Sequence, residues 1–296
     1  MPMVAHKTPY TLLVSEDDMP SNPRTDYDNL GKMVCWHRHY QLGDQHKFDE
    51  PRDFLTQMLF QMYASNAKTI YDYIKAGKAS EAKLQYNRSN REWELWENWS
   101  SSEKWYKTSS YPAALKGGDI PCWFLDDCLS ALKNSEMISL LEQSGQIVLM
   151  PLYLYDHSGI TMSTSPFSCP WDSGQVGWIY ADREMIEKEY GGLTPETIGA
   201  ARERIENEVQ TYDYYLTDQC YGFQLFEGDM EIDSCWGFLG DLRSLQNDLK
   251  EYMPEGFEDM AENLQYESDS FDIEEYLEEA ENAEDYEMNL EGIYDR

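Results

Sequence analysis

The acid of this chain is concentrated at one end. Residues 251–296 hold 18 Asp or Glu and a single Arg, so this stretch carries −17 of a net −33. Like charges three and four residues apart weaken a helix. The stretch is therefore either a solvated tail or a helix anchored by its few apolar residues. Ile273, Tyr276, Leu277 and Ala280 share one helical face, so this part is expected to dock with its acids outward. The acids so presented are Asp272, Glu274, Glu275, Glu278 and Glu279. A wholly helical tail would extend about 69 Å, with an acid roughly every 3.8 Å. A DNA strand carries a charge about every 3.4 Å. The tail can therefore imitate a phosphate backbone. Its boundary is placed near Pro254-Glu255-Gly256.

The charge of the whole chain excludes some partners. It has 56 acidic against 23 basic residues among 296. A broad basic surface for duplex DNA is ruled out, as is electrostatic docking on anionic lipid. The longest apolar run, Ile147 to Tyr155, contains Pro151 and is about half the length of a membrane span. The opening MPMVAHKTPYTLLV lacks the pattern of a secretory leader, so a cytoplasmic protein is expected. With 41% hydrophobic and 14% aromatic residues, the chain can build a core. Its six cysteines form no C-x-x-C pair and read as reduced thiols. Such a protein attracts basic partners.

Local patterns alternate between strand and helix. Tyr10 to Val14, Met33 to Tyr40 and Ile147 to Tyr155 read as strands. Pro51 opens a helix with Phe54, Leu55, Met58, Leu59 and Met62 on its apolar face. Thr194 and Pro195 open a longer one, lined by Ile198, Ile205, Val209, Tyr212 and Leu216. Tyr221 to Phe226 and Glu231 to Trp236 flank a turn and read as a hairpin. These patterns predict an α+β domain over 1–250, with an antiparallel or mixed sheet and flanking helices, followed by the acidic segment 251–296. The polar region 80–118 reads as an inserted arm or linker.

Four constellations bear on chemistry. On a strand, Cys35, His37 and His39 would point to one face, as zinc ligands can; the alternative is a strand edge with a core cysteine. His157 follows an apolar strand, with Ser158 or Cys169 as a nucleophile for it to activate; a turn built on Asp and Ser is the competing reading. Trp171 to Gly177 has glycines but no Gly-Lys-Ser/Thr, and reads as a turn into a strand. Trp93, Trp96 and Trp99 recur at helical spacing, either as a core stripe or as an interaction face.

Several segments stand out together as a set. They are Asn22-Pro23-Arg24-Thr25 with Asp28-Asn29-Leu30-Gly31, Pro151 to Ile160, Trp171 to Gly177, Glu208-Val209 with Tyr212, Tyr215 to Thr217, Tyr221-Gly222, and Asp233 to Phe238. Over about residues 20–240 the chain resembles an uncharacterised family carried by bacteriophages and mobile elements. The resemblance implies a setting in the host bacterial cytoplasm and supplies no activity. Joined to the acidity, it suggests a non-enzymatic inhibitor of a bacterial defence system of anti-restriction, anti-CRISPR or anti-Gabija type. Its partner would be a basic nuclease or other nucleic-acid-binding protein. No cofactor, direct nucleic acid or membrane is expected. The alternatives are a metal-dependent enzyme using His37, His39, His157 and Cys169, with zinc, and an accessory factor binding a host protein.

Overall fold

The computed structural model describes residues 1–98, 104–113, 120–268 and 270–280. In chain order its elements are β1 (Met3–Lys7), β2 (Tyr10–Glu16), α1 (Pro23–Asp26), β3 (Lys32–Cys35), α2 (Pro51–Tyr63), α3 (Lys68–Lys75), β4 (Ala82–Asn87), β5 (Glu92–Glu97) and β6 (Tyr106–Pro112). There follow α4 (Cys122–Ser130), α5 (Asn134–Gln143), β7 (Ile147–Asp156), β8 (Ile160–Ser163), β9 (Ser173–Asp182), α6 (Arg183–Tyr190), α7 (Pro195–Leu216), β10 (Cys220–Glu227), β11 (Met230–Leu239), α8 (Leu242–Leu249) and β12 (Gln265–Tyr266). A helix over 273–280 is α9. Helices take 38% of the residues and antiparallel sheets 29%, which makes the fold α+β. Two compact units share the chain. The first comprises 1–29, 153–175 and the residues from 206 onward; the second comprises 30–152 and 176–205.

The first unit is built on a sheet in the order β11-β10-β2-β1-β12. Successive strand residues face opposite ways, which gives this sheet two apolar faces. Met3, Ala5, Leu12, Val14, Phe223 and Leu225 form one, covered by Leu245 and Leu249 of α8 with Met253, Met260 and Ala261 beyond it. Val4, Leu13 and Phe226 form the other, covered by Leu277 of α9. Residues past Pro254 thus complete both the core and the sheet, since Gln265 and Tyr266 pair with β1. Lys7 ties this segment to β1 through Asp259 at 2.7 Å, and that bond holds the Asp259 carboxyl below its usual range.

The second unit packs α2, α3, α4 and α5 against the sheet β4-β5-β6. Phe54, Leu59, Ile70, Tyr71, Phe124, Leu125, Leu141 and Leu95 lie at the centre of this core. Arg52 of α2 donates to the Leu132 carbonyl at 2.7 Å and to that of Ser130, satisfying carbonyls at the end of α4. The polar region 80–118 supplies the three strands β4 to β6, where an arm or linker was expected. The remaining sheet has the order β3-β9-β7-β8.

Candidate interaction surface

α9 is amphipathic in the simplest way. Asp272 accepts the backbone N–H of Glu274 at 2.9 Å and of Glu275 at 3.4 Å, a carboxylate cap at the positive end of the helix. Leu277 is buried against Val4, Leu13 and Phe226, with Phe271, Ile273 and Tyr276 packed around it. Burial, and then the charge of Glu267, raises the Tyr276 hydroxyl above its usual value. Asp272, Glu274, Glu275, Glu278 and Glu279 are all exposed. At the helical rise these five carboxylates fall within about 10 Å, a denser row than the phosphates of one DNA strand. Residues 281–296, with six further acids, lie outside the described residues.

β11 forms an edge of the same sheet and carries apolar groups into solvent. Met230 is 60%, Ile232 42% and Trp236 49% exposed. A Cβ on Gly222 would lie 2.0 Å from the Trp236 ring, so the indole lies directly on the Gly222 backbone. Glu231 and Asp233 alternate with these apolar residues and are exposed too. The sequence reading missed this strand as a surface, because a hairpin pattern does not say which strand is left uncovered.

The tryptophans behave otherwise than expected. Trp93 and Trp96 lie on strand β5, so they form no helical stripe. Trp93 is 2% exposed and belongs to the core, which removes it from any docking face. Trp96 is half-buried, with Lys83 over its ring and over that of Trp105. Its Nε1 donates to Glu94 at 3.2 Å. Bonds from Asn87 and Trp96, with Lys107 alongside, hold the buried Glu94 below the usual carboxylate range. Trp99 lies outside the described residues.

His157 and Cys169 do converge, but through a carboxylate. Asp172 Oδ2 lies 3.7 Å from His157 Nδ1 and 3.5 Å from Cys169 Sγ. The Cys169 thiol thus donates to Asp172 rather than to the His157 ring. His157 is exposed, and its N–H closes a turn on the Gly159 carbonyl. Ser158 occupies that turn at φ 60°. The arrangement is that of a turn stitched to the start of β9, where the Asp156 N–H also donates to the Asp172 carbonyl at 2.8 Å.

Cys35, His37 and His39 do not share a strand face, because β3 ends at Cys35. Cys35 is buried. His37 Nδ1 accepts the N–H of His39 at 3.3 Å and of Tyr40 at 3.2 Å, and its ring stacks on Tyr40. Among the described residues no group of three or more His, Cys, Asp or Glu side chains is disposed to hold a metal ion. No motif marks His46, which lines a cleft of about 490 Å³ with Lys32, Lys47 and Tyr180. Its Nε2 donates to the Cys35 carbonyl, and its buried Nδ1 has no partner.

No protein-family model, curated protein or solved structure matches the chain. Among the described residues no helix is long and apolar enough to cross a membrane.

Proposed function

We propose that the protein is a non-enzymatic binding protein that occupies the nucleic-acid-binding surface of a basic partner. The observation that carries this reading is α9: one buried leucine fixes the helix while five adjacent carboxylates stand in solvent. Fixed charge of phosphate-like spacing steers a basic groove into contact quickly and in a salt-sensitive way. Apolar anchors then give residence time, and Trp236, Ile232 and Met230 on β11 fill that role better than the buried Trp93. In the setting that the family resemblance suggests, the partner is a defence nuclease in a bacterial host, and occupation of its DNA channel is the inhibition.

The test compares the intact chain with a variant carrying Glu274→Gln, Glu275→Gln, Glu278→Gln and Glu279→Gln, leaving the Asp272 cap in place. Each is immobilised and exposed to lysate of a bacterium rich in defence systems. Nucleic-acid-binding proteins retained by the intact chain, displaced by duplex DNA and lost with the variant are the expected result. Equal retention by both, or retention indifferent to DNA, defeats the reading.

A further inference from the structure

The cleft beside His46 is built by the β3–β9 pair and the loop 44–48. Lys32 and Tyr180 lie opposite one another in the antiparallel register, so their side chains share one face of the sheet. Val34, two residues further along β3, shares that face. The loop is pinned along β3. The Asp44 N–H donates to the Met33 carbonyl at 2.9 Å, and the Met33 N–H donates to the Asp44 carboxylate at 2.8 Å. His46 Nε2 donates to the Cys35 carbonyl at 2.9 Å, and the Phe48 ring packs edge-on against Phe54. The wall is thus fixed before any ligand arrives, which lowers the cost of binding. The volume of about 490 Å³ falls within the range of small-molecule sites.

Lys32 and Lys47 are both exposed, and neither has an ion pair among the described residues. Tyr180 is 7% exposed. Its hydroxyl, which is not sealed off as that of Tyr71 is, makes no hydrogen bond among the described residues. Burial, and then the charges of Asp182 and Asp44, raise this hydroxyl above its usual value, so it keeps its proton. The lining holds one carboxylate, that of Asp44, and the Met33 N–H already binds it. Asp182 accepts the Met185 N–H at the start of α6. The charge left uncommitted in the cleft is therefore that of two ammoniums, with a phenol able to donate beside them. Val34, Phe48 and the Tyr180 ring add an apolar side. An oxyanion carried on a flat apolar body meets both.

We propose that this cleft binds a small organic oxyanion, a carboxylate or phosphate on a flat apolar body, its oxygens held by Lys32, Lys47 and the Tyr180 hydroxyl. The site lies within the second unit and does not depend on the acidic helix or on the inhibitory role.

Calorimetry on the full chain tests this with phenyl phosphate, benzoate and benzyl alcohol as probes. Saturable binding of one or both anions, and none of the neutral alcohol, is the expected result; the tighter anion tells which oxyanion the site takes. Lys32→Gln and Lys47→Gln, each at an exposed ammonium, should weaken binding about tenfold, the value of a charge-assisted hydrogen bond. Tyr180→Phe keeps the buried ring and should weaken binding by less. No saturable binding of either anion at millimolar concentration overturns the proposal. So does affinity unchanged in both lysine variants, or benzyl alcohol binding as tightly as the anions.

Discussion

Arg24 and Glu208 are 184 residues apart in sequence and meet as an ion pair inside the first unit, Nη1 to Oε2 at 3.2 Å, with side chains 1% and 11% exposed. The same Nη1 donates to Asn29 Oδ1 at 3.0 Å, and the Asn29 amide donates to the Pro23 carbonyl at 2.7 Å. Removing one partner leaves a buried charge uncompensated. Glu208→Gln or Arg24→Met alone should cost about 3–5 kcal/mol. The double variant should recover part of that loss, read as a coupling energy from denaturant midpoints. Additive losses would show that the two side chains do not act as a pair.

The acidic helix depends on one side chain for its seat. Leu277→Ala should cost about 2 kcal/mol, at the low end for a leucine truncation because the site lies at a surface. More telling is where the loss appears. Protease should cut within 270–280 while the amides of β2 and β10 stay protected from exchange. Loss of protection throughout the sheet would mean that α9 supports the whole unit.

Gly177 explains part of the glycine-rich stretch Trp171 to Gly177. A Cβ there would lie 1.9 Å from the Val34 carbonyl oxygen and 2.9 Å from Cys35 Cα, across the β3–β9 pair. Gly177→Ala must force these strands apart and should cost about 3 kcal/mol. Gly174 has open space around its missing side chain. Gly174→Ala should change thermal stability by far less, and equal losses would contradict this account.

The cysteines should separate by reactivity. Cys122 is exposed, while Cys35, Cys128 and Cys220 are buried, so a maleimide at neutral pH should modify Cys122 well before those three. Burial, and then the nearby Asp17, pushes the Cys220 thiol from 9.0 up to about 11. The folded state keeps this proton where the unfolded chain loses it. The associated stability is therefore intact below about pH 9 and is lost as pH rises toward 11. Denaturant midpoints of Cys220→Ala should fall less than those of the parent between pH 8 and 10.5. Parallel curves would rule out this thiol as a contributor.

Much of the architecture could be read from local pattern. Tyr10 to Val14 became β2, Ile147 to Tyr155 became most of β7, and the flanked turn at Gly228 became the β10–β11 hairpin. Thr194 does cap α7, its hydroxyl accepting the Thr197 N–H at 3.3 Å while Thr197 Oγ1 accepts the N–H of Thr194. Pattern failed where long-range pairing decided the outcome. Trp93 and Trp96 have helical spacing, yet Glu92 to Glu97 is held as a strand between β4 and β6, with a register shift beside Leu95. Met33 to Tyr40 reads as one strand, but the chain turns after Cys35. Trp36 then packs among His46, Phe54 and Trp178, and its Nε1 donates to the Phe48 carbonyl.

Some of the segments that carry the resemblance read from the sequence have a structural use here. Asn22, Arg24, Asn29 and Glu208 form one bonded cluster, and Gly222 makes room for Trp236. Nothing in those residue types marks them as scaffold rather than site, because the contact that closes the cluster, Arg24 to Glu208, joins positions 184 residues apart. The docked face of α9 could be anticipated, since four apolar residues in an acidic background leave few arrangements.

The order of strands in the first unit has a consequence for synthesis. β1 and β2 are made roughly two hundred residues before β10, yet β2 pairs with β10 and β1 with β12. At ribosomal speeds the roughly two hundred residues between them take about 10–40 s to appear. Throughout that interval Leu12, Leu13 and Val14 lack the neighbours that bury them in the finished sheet. The second unit meanwhile receives most of its sequence and can begin to fold. The nascent β1–β2 hairpin thus stays without its sheet until β10 is made, and any ribosome that stalls before residue 220 releases a chain in which these two strands have no sheet to join.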